Sequence, residues 1–243
     1  ITVTRRKPHS MPLDVFERIV DQISENRLSN LITLHVLGEP LLYADILNAV
    51  RYASDRQLKV NITTNGSLLN EKLIRALNNS GLYSMDISLQ LFGNHRHASR
   101  HAGMSFQEYY SHVLRSVHMI RNNTDIQLIV KVMNTISWPL FSMGRPLGFV
   151  QQGREFRGLV QKIIMDINQE LGSDLRDREV AERIKSVNLN SAVRIRIDEK
   201  LFVFVQLFMD WGNAFCEKKV YPVKFGSCSF AFRSPAVLSN GSV

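Results

Sequence analysis

The 243-residue sequence has few cysteines and no long apolar stretch. Its two cysteines, Cys216 and Cys228, are too few for a disulfide framework, so reduced thiols are the default expectation. No apolar run approaches the roughly 20 residues that a membrane-spanning helix needs. The opening ITVTRRKPHS carries charge without the apolar core of a signal peptide. These features predict a cytoplasmic protein with no membrane partner.

Acidic residues are also in the minority, with 22 Asp and Glu against 30 Lys and Arg, which gives a net charge of +8. An excess of this size can serve nucleic-acid binding. The positive residues are scattered, however, apart from TRRK near the start and a group at 96–100, and no nucleic-acid-binding motif accompanies them. We therefore expect no nucleic-acid partner.

Apolar periodicity predicts strands that alternate with helices along the first half of the chain. Strands are expected at 31–37, 59–63, 83–89 and 126–133. The first of these has the apolar composition of a buried strand. Short loops between alternating strands and helices are typical of right-handed β-α-β units and a parallel sheet. A barrel and a doubly wound open sheet both fit this pattern.

Capping residues mark several helices. Asn70 is expected to cap a helix that stops at Gly81, and Ser105 with Glu108 has the spacing of a capping box. The later chain is less regular, with a clear helical pattern at about 155–171 and a charged segment that could form a second helix. The alternating VRIRI and the apolar LFVFVQLFM are expected to be strands.

Polar or glycine-bearing groups follow the predicted strands. Any single turn of this kind is common. Because the carboxyl ends of parallel strands form the ligand face of such folds, we expect these groups to line one cleft and to bind a polar ligand through backbone and amide groups. Glu39 is expected to organise the backbone rather than to act as a general base. The groups are Gly38-Glu39-Pro40, Thr64-Asn65-Gly66, Ser88 with Gln90, Asn134-Thr135 and Asp210-Trp211-Gly212-Asn213.

These groups carry a resemblance to a known family. The segment from Leu37 to Leu42 resembles the GGEP motif of radical S-adenosylmethionine enzymes, with Leu37 in place of the first glycine. The TNG at 64–66 resembles the one that follows the next strand in that family. DISLQ and VMNT fall where the family's fourth and fifth strands lie, so that the match covers most of residues 11–135.

The resemblance implies a partial (β/α) TIM-like barrel with parallel strands and a bound S-adenosyl-L-methionine. The family's Gly-Glu-Pro turn holds the methionyl end of this cofactor, and polar residues at the ends of the fourth and fifth strands contact its ribose and carboxylate. The cofactor-binding residues implied here are Gly38, Glu39, Pro40, Thr64, Asn65, Gly66, Ser88, Gln90 and Asn134.

The resemblance also implies an activity. In the family, a [4Fe–4S] cluster delivers one electron that cleaves the cofactor to a 5′-deoxyadenosyl radical, which abstracts hydrogen from the substrate. A peptide or protein side chain is the expected substrate, and flavodoxin or ferredoxin the expected electron donor. The family's cluster motif, CxxxCxxC, is absent from the 243 residues, so we expect this chain to be inactive by itself.

The tail resembles the opening of a SPASM domain, which follows the radical barrel in many peptide-modifying members. Cys228 and the Asn240-Gly241 turn fit that pattern, which implies that Cys228 ligates an auxiliary cluster in a longer protein. The expected division is a barrel at 1–213 and the beginning of a SPASM-like region at 214–243. The sequence therefore looks cut at both ends.

Two other interpretations stay open at this stage. The chain could be a non-catalytic binding module that has kept the barrel and lost the cluster loop. It could also be an unrelated parallel α/β barrel enzyme such as an aldolase. That activity would need a catalytic lysine at a strand end, whereas Lys131 is interior to its predicted strand.

Overall fold

The computed structural model describes residues 10–35, 38–89, 103–134, 153–172, 177–185, 187 and 193–207. Six helices have the bounds α1 (Leu13–Glu25), α2 (Ile46–Asp55), α3 (Glu71–Asn79), α4 (Phe106–Asn123), α5 (Gly153–Leu171) and α6 (Asp177–Arg183). A 3-10 helix covers Pro40–Leu42. The strands are β1 (Leu31–Leu34), β2 (Lys59–Thr64), β3 (Ser84–Leu89), β4 (Gln127–Asn134), β5 (Val193–Arg196) and β6 (Leu201–Leu207).

The six strands form one sheet in the order β1-β2-β3-β4-β6-β5. Neighbours from β1 to β4, and β4 with β6, pair in parallel. The prediction that the first four strands are adjacent and parallel is therefore confirmed. The fold is a mixed α/β fold with a parallel-strand sheet, as expected of a partial TIM-like barrel.

The fifth strand departs from the parallel pattern, because β5 pairs with β6 in the antiparallel sense. VRIRI and LFVFVQLFM are thus two arms of a hairpin. Asp198 fixes the connection, since its Oδ1 accepts from the backbone amides of Lys200 at 2.8 Å and Leu201 at 2.9 Å. Turn chemistry of this kind stabilises a tight reversal.

One face of the sheet is apolar and is covered by the helices. Ile62, Met85, Leu128 and Leu201 are in register across four strands and are fully buried. The helices contribute buried residues to the same core, among them Val50, Ile74, Val117 and Ile164. Because successive side chains of a strand point to opposite faces, the residues between these core positions lie on the other side of the sheet.

That opposite side, which we call the open face, is polar along much of its width. In register it carries Thr63, Asp86, Ile129, Phe202 and Arg196 in one row and Ser88, Lys131, Phe204 and Arg194 in the next. Phe202 and Phe204 have the period-two spacing that is typical of core residues, but they are only partly buried. The polar side chains on this face can form hydrogen bonds or ion pairs with a ligand.

The first strand differs from its prediction. β1 ends at Leu34 rather than at residue 37, and residues 36–37 lie outside the described part of the chain. The strand is not buried, because Leu31 is 43% exposed. The physical reason is its position: β1 pairs only with β2 and forms the edge of the sheet within the described residues. The prediction that β1 is buried, which was based on its apolar composition, is therefore wrong.

The predicted caps are confirmed. The Asn70 side chain accepts from the Leu73 amide at 2.9 Å, and Ser105 and Glu108 form a reciprocal capping box. Gly81 ends the turn after α3 with φ at +84°, and a Cβ there would lie 2.2 Å from Ser54 Oγ. Among the helices that the structure describes, none has both the length and the apolarity to cross a bilayer.

Candidate functional site at the carboxyl edge of the sheet

The sequence-predicted polar groups that the structure describes lie at one edge of the sheet. Parallel pairing brings the carboxyl ends of β1 to β4 together. Gly38 follows β1, Thr64 ends β2 and Asn134 ends β4, while Ser88 lies one residue before the end of β3. Gln90 is outside the described residues, as are Asp210–Asn213 and both cysteines.

Glu39 joins the turn after β1 to the turn after β2. Its Oε1 accepts from the Thr64 hydroxyl at 2.6 Å and from the Leu41 amide at 3.2 Å. Its Oε2 accepts from the Asn65 amide at 3.0 Å. Both carboxylate oxygens are thus engaged with neighbouring groups, which confirms the prediction that Glu39 organises the backbone.

The turn at residues 64–66 is itself internally bonded. The Thr64 hydroxyl accepts from the Gly66 amide at 3.0 Å while it donates to Glu39, and Asn65 Oδ1 accepts from the Ser67 amide at 2.8 Å. Gly66 has φ at +79°, and a Cβ there would lie 3.2 Å from Ile87 Cγ2. A glycine is therefore required both for the backbone conformation and for the close approach to β3.

Two residues of α4 hold the other side of this turn, and neither is among the site residues predicted from the sequence. The Tyr109 hydroxyl donates to the Asn65 carbonyl at 2.7 Å, and His112 Nε2 lies 3.2 Å from the Gly66 carbonyl oxygen. A His112 tautomer with a proton on Nε2 donates in this contact. The capping box at Ser105 fixes where α4 begins and therefore which of its residues face the sheet. This is the feature of the sequence from which the position of Tyr109 could have been predicted.

Gly38 presents its backbone at the same edge. Its φ is +114°, a conformation that side chains with a Cβ rarely adopt, and a Cβ built there has no heavy atom within 4 Å. The turn therefore combines a glycine-dependent backbone with free space beside it. The backbone groups of this turn are therefore accessible to a polar ligand.

A buried ion pair lies on the open face, below this edge. Lys131 Nζ and Asp86 Oδ2 are 2.6 Å apart, with side chains 19% and 9% exposed. Asn61 Nδ2 and the Thr63 hydroxyl also donate to the Asp86 carboxylate, at 3.3 Å and 3.4 Å. The Lys131 Nζ is thus engaged by Asp86, whereas Schiff-base chemistry needs a lysine amine that is free to attack a carbonyl, which weighs against the aldolase interpretation.

His35 lies beside the same pair. Burial and the positive charge of Lys131 lower the pKa of His35, and the opposing effect of Asp86 is smaller. The imidazole is thus favoured in its neutral form, able to donate through one nitrogen and accept through the other.

A metal or iron–sulfur centre does not fit on these residues. Within the described ranges, no three His, Cys, Asp or Glu side chains are grouped so that they could hold a metal ion. Cys228, the predicted auxiliary ligand, lies outside those ranges. The arrangement at the carboxyl edge can position and hydrogen-bond a polar ligand, whereas one-electron chemistry needs a group bound elsewhere.

The chain belongs to the radical SAM superfamily. Residues 2–135, more than half of the chain, match the sequence model of that superfamily. Membership in this superfamily implies S-adenosylmethionine and an iron–sulfur cluster as cofactors. A segment of 87 residues is also 32% identical to the uncharacterized protein MJ0804 of Methanocaldococcus jannaschii, and covers 35% of this chain and 29% of that protein.

Solved structures to which the chain is similar include SuiB of Streptococcus suis bound to its precursor peptide SuiA. That match has 19% identity and a TM-score of 0.45, and it covers 71% of this chain and 33% of SuiB. Archaeal TYW1 has 13% identity and a TM-score of 0.39 over 77% of this chain and 63% of TYW1. BtrN in complex with AdoMet and 2-DOIA has 23% identity and a TM-score of 0.35 over 44% of this chain and 41% of BtrN. The chain thus spans only part of each relative.

A first prediction concerns the role of Glu39. Replacing Glu39 by Gln should lower the free energy of unfolding by about 1–3 kcal/mol, because the Gln NH₂ group then faces the backbone N–H of either Asn65 or Leu41, which loses its acceptor. Urea denaturation measures this loss. Glu199→Gln is the control, since Glu199 is exposed in the hairpin turn and its replacement should change stability by less than about 0.5 kcal/mol. Equal stability of the two variants would contradict the role of Glu39 in joining the two turns.

Proposed function

We propose that this protein is a radical SAM enzyme whose carboxyl sheet edge binds the methionyl end of S-adenosylmethionine. The observation that carries the proposal is the clamp in which Glu39 joins the Gly38–Pro40 turn to Thr64 and Asn65. A turn held this firmly keeps its backbone groups in place, so that a ligand does not have to order them on binding.

The residues of the chain have separate roles in this proposal. Gly38 and Pro40 offer backbone groups to the methionyl amino group, while Glu39 keeps that turn against residues 64–66. Ser88, Gln90 and Asn134 contact the ribose or the carboxylate of the cofactor. Bound S-adenosylmethionine supplies, on one-electron reduction, the 5′-deoxyadenosyl radical that abstracts hydrogen from the substrate.

The substrate is proposed to be a peptide or protein side chain, in a cytoplasmic enzyme that receives its electron from a flavodoxin or ferredoxin. The similarity of the tail to a SPASM opening supports the peptide assignment. In this view residues 1–213 belong to the barrel and residues 214–243 begin an auxiliary-cluster region that contains Cys228. The main cluster would be held by a CxxxCxxC in a longer form of the protein.

A non-catalytic binding module is the second candidate, and the cysteine count favours it. The 243 residues hold two cysteines and no CxxxCxxC, so they offer too few thiolates for the main cluster. The reading frame upstream distinguishes the candidates. A CxxxCxxC there supports the enzyme, and its absence supports a barrel that binds without redox chemistry.

The proposed cofactor contact predicts the effect of a side chain at position 38. In a longer form that carries CxxxCxxC, Gly38→Val should weaken S-adenosylmethionine binding by at least about tenfold in calorimetry, because the added side chain occupies the space beside the turn. Its φ of +114° adds backbone strain.

Gly172→Val is the matched control for that strain. Gly172 also has positive φ, at +62°, and has no heavy atom within 4 Å of a built Cβ, but it lies at the end of α5. The control should bind the cofactor like the wild type. Equal affinity of Gly38→Val and the wild type would count against the cofactor assignment.

A further inference from the structure

The far side of the open face, on the β5–β6 hairpin, carries exposed arginines. Arg194 and Arg196 alternate along β5 and point to the open face, while Ile195 between them is buried in the core. The guanidinium carbon of Arg194 lies 3.9 Å from the centroid of the Phe202 ring. Stacking on an aromatic ring orients a guanidinium and leaves its N–H groups free to bind a planar anion.

Within the part of the chain that the structure describes, no carboxylate is paired with Arg194 or Arg196. Arg194 has no ion-pair or hydrogen-bond partner there, and Arg196 Nε donates to the Asp198 carbonyl at 3.0 Å rather than to a carboxylate. The Asp198 carboxylate is paired with Arg121 instead. Asp86 is the carboxylate in the two rows of open-face residues described above, and it forms an ion pair with Lys131.

A third arginine adds to this charge from the edge of the sheet. The Arg183 guanidinium of α6 donates to the Arg196 carbonyl, which brings it to the end of β5. Arg183, Arg194 and Arg196 together with Ile195 and Ile197 line one surface cavity. Like charges brought together in this way repel one another, and a bound anion relieves that repulsion.

Strand register connects this cluster to the proposed cofactor edge. Arg194, Phe204, Lys131 and Ser88 occupy one row across β5, β6, β4 and β3. Three strand spacings separate Ser88 from Arg194, which is about 14 Å along the sheet. A substrate held at Arg194 can therefore extend over the open face toward the carboxyl edge.

We propose that Arg194 and Arg196 form a subsite for a carboxylate of the substrate, so that the enzyme takes an acidic peptide. This proposal rests on the proposed function for the identity of the substrate as a peptide. Two guanidinium groups that line one cavity suit the two oxygens of a Glu or Asp side chain or of a peptide carboxyl terminus. Lys131 and its partners then form the polar floor between this anchor and the cofactor.

The test uses the 243-residue chain and a peptide of six glutamates with an uncharged fluorophore, followed by fluorescence anisotropy at low salt. The double variant Arg194→Ala/Arg196→Ala should bind at least about tenfold more weakly than the wild type, because charge-assisted hydrogen bonds are lost. Arg115→Ala/Arg157→Ala is the charge-matched control on exposed positions of α4 and α5, and it should bind within about twofold of the wild type. A six-glutamine peptide should show no comparable binding.

Several outcomes overturn the proposal. Equal losses in the two double variants would show that general positive charge, rather than the hairpin cluster, attracts the peptide. Stronger competition by inorganic phosphate than by glutarate would assign the subsite to phosphate. Tighter, arginine-dependent binding of a six-nucleotide single-stranded DNA would replace the peptide with a nucleic acid.

S-adenosylmethionine calorimetry separates this proposal from the proposed function. In the longer form of the protein, the double variant Arg194→Ala/Arg196→Ala should keep wild-type cofactor affinity, since neither side chain is assigned to the cofactor. Lost cofactor affinity in that variant would overturn a substrate-only role for the arginines. Failed cofactor binding in the wild type would instead overturn the proposed function.

Discussion

Anaerobic reconstitution of the 243-residue chain with iron and sulfide is expected to yield no stable four-iron cluster and no 5′-deoxyadenosine. A [4Fe–4S] cluster needs cysteine thiolates at compact spacing. The chain offers two cysteines, Cys216 and Cys228, whereas the motif has three. These two are also more widely separated in the sequence than the cysteines of CxxxCxxC. Without the cluster, we expect no electron to reach the cofactor and no cleavage of it.

The matched comparison is a longer form of the protein that carries a CxxxCxxC. After the same treatment it should show the absorbance of a four-iron cluster and should release 5′-deoxyadenosine when dithionite is added. Replacing the three motif cysteines by alanine in that form should abolish both signals. The idea is falsified if the 243-residue chain itself assembles the cluster and cleaves the cofactor.

Loss of the Lys131 charge should be the most destabilising single change on the open face. Lys131→Met keeps the volume of the side chain but leaves the Asp86 carboxylate, which is 9% exposed, without its cation. Removing one partner of a buried pair costs about 3–5 kcal/mol. Asn61 and Thr63 still donate to Asp86, which places the expected loss at the lower end of that range, measured by urea denaturation.

Two further variants separate the ion pair from other effects of the substitution. Lys162→Met removes the cation of the Lys162–Asp166 pair, where the lysine side chain is 68% exposed, and should cost less than about 1 kcal/mol. Adding Asp86→Asn to Lys131→Met should recover part of the stability, because the buried unpaired charge is then removed. A double variant less stable than the single one would contradict this reading of the pair.

The local part of the fold could be predicted from the sequence. Apolar periodicity identified the strands that became β1 to β4, and their short connections implied the parallel order. Side chains that act within a few residues of their own position, such as Asn70 and the capping box at Ser105, were identified from spacing alone. Burial of β1 was predicted wrongly, because apolar composition does not show whether a strand has one neighbour or two.

Contacts between distant segments were beyond reach of sequence patterns. Asp86 and Lys131 lie on different strands, and only the register of β3 with β4 brings them together. Tyr109 contacts the Asn65 carbonyl because α4 crosses the sheet at one particular place. The role of Glu39 was anticipated in kind, since an acid inside a glycine-proline turn organises backbone, but its partners Thr64 and Asn65 became visible only in the structure.

A crystal structure of the longer, cluster-bearing form with S-adenosylmethionine tests the central claim most directly. We expect the methionyl amino group to lie within hydrogen-bond distance of the backbone at residues 38–40, with Glu39 still bonded to Thr64 and Asn65. The ribose should lie toward Ser88 and Asn134. A cofactor bound at the amino edge of the sheet, or on the helix-covered face, would show that residues 38–40 do not hold the methionyl end.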